Sequence, residues 1–142
     1  MFTKQTLLAT LVGGLTIYFL GWIFYDLIAG SYFEDNTLHE IPERMDMASI
    51  ALGALIQGFA LSNLYRYWHT SRTGRFRGFE MGAWVGLFTG LGSGLIFYGT
   101  AAVHTLNTHL VDAAWHIVFY GITGMLIAWS YGLMTTNSSS EN

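Results

Sequence analysis

No cysteine occurs among the 142 residues, which excludes disulfides, thiol catalysis and thiolate metal sites and leaves the redox compartment unread. Charge is also scarce. Asp, Glu, Lys and Arg make up 11% of the chain, whereas a soluble domain carries about 25%. So little polar material cannot cover a water-facing surface. The net charge of -3 is too small to draw a partner by itself, and proline occurs once, at Pro42. What the chain does hold is 52% hydrophobic residues and 17 glycines, with a mean hydropathy of +0.40. Glycine-rich apolar segments without proline suit closely packed membrane helices better than loops. The length allows one domain.

A hydrocarbon core of ~30 Å needs about 20 apolar residues per helical crossing. Four runs qualify, at about 5–29, 46–67, 79–104 and 111–134. None alternates polar and apolar residues as a barrel strand does, so helices must satisfy their backbone groups in lipid. The expected fold is therefore all-α, a four-helix transmembrane bundle. The first run resembles a signal peptide only in having Lys4 ahead of it. Its apolar stretch is too long, and Trp22, Phe24 and Tyr25 crowd the end where small residues would precede cleavage, so a retained helix is expected.

Orientation follows from the connectors. The segment from Arg66 to Arg77 holds four of the six Lys and Arg residues, Lys4 falls on the same side, and Arg44 alone falls on the other. Basic residues stay cytoplasmic, which predicts both termini inside. Tyr65, Tyr67, Trp68 and Trp129 then mark the inner interface, and Trp22, Tyr25, Tyr32 and Trp115 the outer. The same basic and aromatic cluster would suit nucleic acid or anionic lipid. A topogenic loop with interfacial anchors explains it more simply, and no nucleic-acid partner is expected.

At ~100° per residue each span carries a stripe of small and polar side chains, expected to face the bundle interior because such groups are costly in lipid. These are Thr10, Gly14, Tyr18, Gly21 and Tyr25 in the first span, and Asp46, Ser49, Gly53, Gln57 and Ala60 in the second. The third has Gly82, Gly86, Gly90 and Gly94 at four-residue spacing, with His104 in the same arc, and the fourth has Asp112, His116, Tyr120, Thr123 and Ser130. The glycine run predicts a groove for a close neighbouring backbone, either another helix of the chain or a second copy. It is not a phosphate loop, because no strand precedes it.

Seven of the nine acidic residues and four of the five histidines gather at the outer side. Asp112 and His116 are four apart, share a helical face and can hydrogen-bond, so the carboxylate can orient the imidazole as in a proton relay or metal site. With His104 across the last connector, two imidazoles and a carboxylate can converge on a divalent cation such as Zn²⁺. Capping and bundle hydrogen bonding remain the plainer reading, since an anion is favoured at a helix N-terminus. The ligand or proton candidates are thus Asp112, His116, His104, Gln57 and Tyr25. The segment His39-Glu40-Ile41-Pro42-Glu43 lacks the second histidine of a zinc-protease helix, and Pro42 would break that helix. His104 and His116 both sit too near the rim for a bis-histidine haem. No cofactor, no dedicated metal site and no catalytic residue is expected.

The stretch Gly21-Trp22-Ile23-Phe24-Tyr25, the aromatic and acidic connector after it, the glycine-rich third helix and the opening Val111-Asp112-Ala113-Ala114-Trp115-His116 of the fourth resemble an uncharacterised family of small four-helix bacterial membrane proteins, a domain of unknown function. The resemblance spans most of the chain through short apolar motifs. It implies a four-helix fold in a bacterial inner membrane and carries no activity. The leading expectation is a structural or accessory protein that acts through helix packing, as a homodimer or with a membrane-protein partner. The alternative is a transporter or small-molecule or metal-binding protein with a site near the outer rim. An enzyme is the least supported reading, for no nucleophile stands beside a base at recognisable spacing.

Overall fold

The computed structural model describes residues 3–38, 46–68, 74–101 and 103–138, with side chains described up to residue 133. The first span is α1 (Lys4–Trp22), continued by a π-helical turn (Ile23–Ile28), and a short α2 (Gly30–Asp35) follows it. The second is α3 (Met47–Trp68). The third joins α4 (Arg75–Gly86), a π-helical segment (Leu87–Ser93) and α5 (Gly94–Ala101), and the last helix is α6 (Leu106–Ser138). Among the described residues, four helical stretches are long and apolar enough to cross a membrane: Lys4–Ile28, Met47–Trp68, Arg75–Ala101 and Leu106–Leu133.

The helix ends differ from the hydropathy boundaries for local reasons. Thr3 caps α1 by accepting from the Thr6 amide at 3.2 Å. Thr105 Oγ1 accepts from the Thr108 amide at 3.3 Å, starting α6 five residues ahead of the apolar run. The third span begins four residues early because Gly74, at φ +156°, turns the chain directly into α4. It ends at Ala101, so His104 lies beyond the helix and does not share the glycine arc. Instead Thr37 and His104 form a single antiparallel bridge, flanked by Leu38 N–H to Val103 O at 2.7 Å and Thr105 N–H to Asn36 O at 3.3 Å.

Helix α6 is the hub. The most extensive packing is α4 on α6 and α1 on α3, and α1 also packs along α6. The third span meets α3 only slightly, so the four spans form a bent row, α3–α1–α6–α4, rather than a square. Glycine decides the closest contact. A Cβ on Gly78, Gly82 or Gly86 would overlap the backbone carbonyl of Gly124, Tyr120 or His116 respectively, and one on Gly90 would meet His116 Cβ at 2.6 Å. The groove is therefore filled by α6 of the same chain. It begins one step earlier than the sequence spacing indicated, at Gly78, and leaves out Gly94, whose Cβ would find only His109 Nδ1 at 3.9 Å. Beyond the π-helical segment α5 diverges from α6, and none of its residues is buried. On the other flank, Gly58 of α3 sits against the α1 backbone at Thr10 and Gly14.

Large apolar side chains face outward along the spans, with Phe88 73% and Ile96 70% exposed. In water such a surface would aggregate, and in lipid it is solvated. At the end where α1 begins, Tyr131 OH lies 3.0 Å from Thr6 Oγ1 and 3.1 Å from Ser62 Oγ, and Ser62 Oγ donates to Thr6 O at 3.2 Å. This buried node pins three helices together. Two expected interfacial anchors are turned inward: Tyr65 is 3% exposed, and Trp115 stacks on Phe24 with centroids 4.2 Å apart.

Candidate functional site

The π-helical turn at Ile23–Ile28 closes with the Ala29 amide bonding Phe24 O at 2.7 Å. Such turns re-aim the side chains they contain. Here Tyr25 is turned toward α6, and its hydroxyl donates to Asp112 Oδ1 at 2.5 Å. His116 stands one helical turn further on. Its Nδ1 is 2.9 Å from the Asp112 backbone carbonyl and 3.3 Å from Asp112 Oδ2. Since a carbonyl only accepts, Nδ1 bears the proton and donates, which leaves Nε2 as acceptor in the neutral ring. One more turn along, Tyr120 OH donates to Gln57 Oε1 at 2.6 Å, joining α6 to α3. The rings of His116 and Tyr120 lie 5.8 Å apart, continuing the chain of polar groups.

Two cavities flank this chain. One, of about 490 Å³, lies between α1, α3 and α6, with Tyr18, Trp22, Gln57, His116 and Tyr120 on its walls. The other, of about 850 Å³, lies between α2, α5 and α6, with Glu34, Thr89, His104, His109 and Asp112 on its walls. Tyr25 borders both. The Tyr25–Asp112–His116 cluster is thus the partition between them. The second π-helical segment, Leu87–Ser93, contributes Thr89 and Ser93 to the larger cavity where α5 diverges.

Of the residues singled out from the sequence, Tyr25, Asp112, His116 and Gln57 lie along this one polar line, together with Tyr120. His104 does not join them. It borders the larger cavity, but its Nδ1 is 3.3 Å from Thr37 Oγ1 and its ring faces Phe33 and His109. Among the described residues no three His, Asp or Glu side chains come together as a metal site. The reason is the Thr37–His104 bridge, which holds His104 against the first connector. His39, Glu40, Pro42, Glu43 and Arg44 lie outside the described residues, as do His69 and Arg72.

His109 carries no sequence signal that separates it from the other outer histidines. It is only 8% exposed, its Nε2 has no hydrogen-bond partner among the described residues, and it is packed among Phe97, Tyr98 and His104. Asp26, within the π-helical turn, lines the smaller cavity. Helical periodicity puts Asp26 one residue off the polar stripe of its span. Asp46 has a simpler part. Its carboxylate accepts from Ser49 Oγ at 2.7 Å and from the Ala48 and Ser49 amides, and these bonds, that of Ser49 Oγ foremost, hold its pKa below the ordinary carboxylate value.

This arrangement can bind a polar group and hand a proton among the imidazole of His116, the phenol of Tyr25 and the carboxyl of Asp112, which are already in contact. It offers no activated nucleophile among the described residues. No family model, curated protein or solved structure matches the chain.

Proposed function

We propose that the protein is a small-molecule binding protein of the membrane, of receptor or transporter type, with its site around Tyr25, Asp112 and His116. The observation that carries this reading is the 2.5 Å bond from Tyr25 OH to Asp112 Oδ1, inside two apolar spans and between two cavities. An ionisable group within a span is expensive and is retained where it serves a site. The packing reading that led from the sequence loses its main support, because the glycine groove is occupied by α6 of the same chain. We further propose the orientation given by the basic loop, with both termini and Arg66–Arg77 on the cytoplasmic side of a bacterial inner membrane. The likeness to the four-helix bacterial family favours the same location.

Binding is tested by thermal unfolding of the purified protein in detergent against a panel of amines, carboxylates, sugars and metal salts, with His116→Ala beside the wild type. A ligand that stabilises the wild type and not the variant supports the site. No stabilisation by any compound, or equal stabilisation of both, refutes it. Because the chain has no cysteine, Thr73→Cys gives a clean topology probe. Labelling by an impermeant maleimide only after permeabilisation is the expected result, and labelling of intact cells would reverse the orientation.

A further inference from the structure

We infer that the 490 Å³ cavity between α1, α3 and α6 binds a small organic cation, an ammonium-type headgroup, which deepens the proposed reading by naming its ligand class and rests on it. Four features converge. The walls carry Tyr18, Trp22, Tyr25, Phe119 and Tyr120, and Trp and Tyr faces attract a desolvated cation most strongly among side chains. The volume falls within the range of small-ligand sites, about 300–1,000 Å³. Asp26 stands at the wall with no hydrogen bond or ion pair to any described residue, so its carboxylate is free to serve as counter-ion. The other polar wall groups, Ser49, Gln57 and His116, are neutral or shared with Asp112.

The charges of the described residues favour a cation as well. Among the described residues, Lys4, Arg66, Arg75 and Arg77 all stand at the opposite end of the bundle, where α1 and α4 begin and α3 ends. Asp26, Glu34, Asp35, Asp46 and Asp112 stand at the cavity end. A low-dielectric cleft with charge of one sign concentrates counter-ions at its mouth. An anionic ligand would meet carboxylates and ring faces and find no Lys or Arg among the described residues. A purely apolar ligand would leave the Asp26 carboxylate in the wall without a counter-charge.

The test uses choline and its uncharged isostere, in which a tert-butyl group replaces trimethylammonium, titrated against the full chain in detergent micelles. Trp22 lies in the wall and reports occupancy through its fluorescence, with Trp22→Phe identifying its share of the signal. Choline is expected to give a saturable change at least about tenfold tighter than the isostere. Asp26→Asn should weaken choline by about tenfold and leave the isostere unchanged, while Asp26→Glu retains choline binding. Equal affinity for choline and isostere, or choline binding indifferent to Asp26→Asn, overturns the cation assignment while the binding reading stands. Silence toward both compounds also overturns the assignment, and the amine, carboxylate and sugar panel then decides the binding reading separately.

Discussion

Tyr25 and Asp112, 87 residues apart in the chain, meet through a 2.5 Å hydrogen bond that ties the π-helical turn of the first span to the hub helix α6. The bond is the shared wall of two cavities, so it couples the stability of the bundle to the integrity of the site. Its consequences can be measured directly.

Tyr25→Phe removes the donor and keeps the ring. Interhelical hydrogen bonds within membranes average about 0.6 kcal/mol and reach about 1.7. A carboxyl acceptor puts this one at the upper end, about 1.5 kcal/mol. In a cycle with Asp112→Ala, which removes the acceptor, the two losses should fall short of additivity, because each variant removes the same bond. Strict additivity in detergent unfolding would show that the two side chains act independently.

Gly82→Ala and Gly86→Ala place a methyl on the α6 backbone carbonyls of Tyr120 and His116. Neither backbone can yield without the helices separating, so each should cost about 3 kcal/mol or more, above the usual range for overpacking. Gly94→Ala and Gly99→Ala, which meet open space or a single atom at 3.9 Å, should be neutral within about 0.5 kcal/mol. Thermal melts of the four variants separate the groove from the open half of the same span.

Tyr131→Phe leaves Thr6 and Ser62, both fully buried, without their common partner. A loss of about 1 kcal/mol is expected. Ser62→Ala should cost less once Tyr131→Phe is present than in the wild type. An unchanged cost would mean that the three groups do not form one node.

Asp46 begins α3 with a capping carboxylate whose pKa is lowered by Ser49. A group with a depressed folded-state pKa stabilises above its unfolded value and loses that contribution as pH falls through the folded one. Asp46→Ala should therefore lower the melting temperature at neutral pH. The gap to wild type should narrow below the ordinary carboxylate pKa of 3.8. A gap that stays constant on acidification would mean that the charge adds nothing to the cap.

Thr37 and His104 face each other in an isolated antiparallel bridge. Directly opposed strand residues have Cβ atoms about 4.5–5.5 Å apart, close enough for a disulfide after a small adjustment. In the cysteine-free background, Thr37→Cys with His104→Cys should crosslink on mild oxidation and raise the melting temperature. Failure to crosslink would place the two connectors apart.

The spans were legible because composition and length suffice to recognise an apolar helix, and the starts of three of them moved where Thr3, Gly74 and Thr105 supplied local turn chemistry. Asp112 and His116 were legible as a pair because both lie on one helix at four-residue spacing. Tyr25 shared the inward stripe of its own helix, yet its partner was not visible, since contact between separate helices depends on how they cross. His104 was misassigned to a helical arc because periodicity carries no notice of where a helix stops.

The sequence alone therefore determined the four helices, their apolar surfaces and the glycine face of the third, all of which follow from local pattern and transfer energy. Tertiary structure decided which helix of the chain fills that glycine face, and from Gly78 to Gly90 it is α6. It also decided that Tyr25, Asp112 and His116 form one partition while His104 stays with Thr37. These are relations between helices, set by crossing geometry and by two π-helical turns, and a one-dimensional pattern does not encode either.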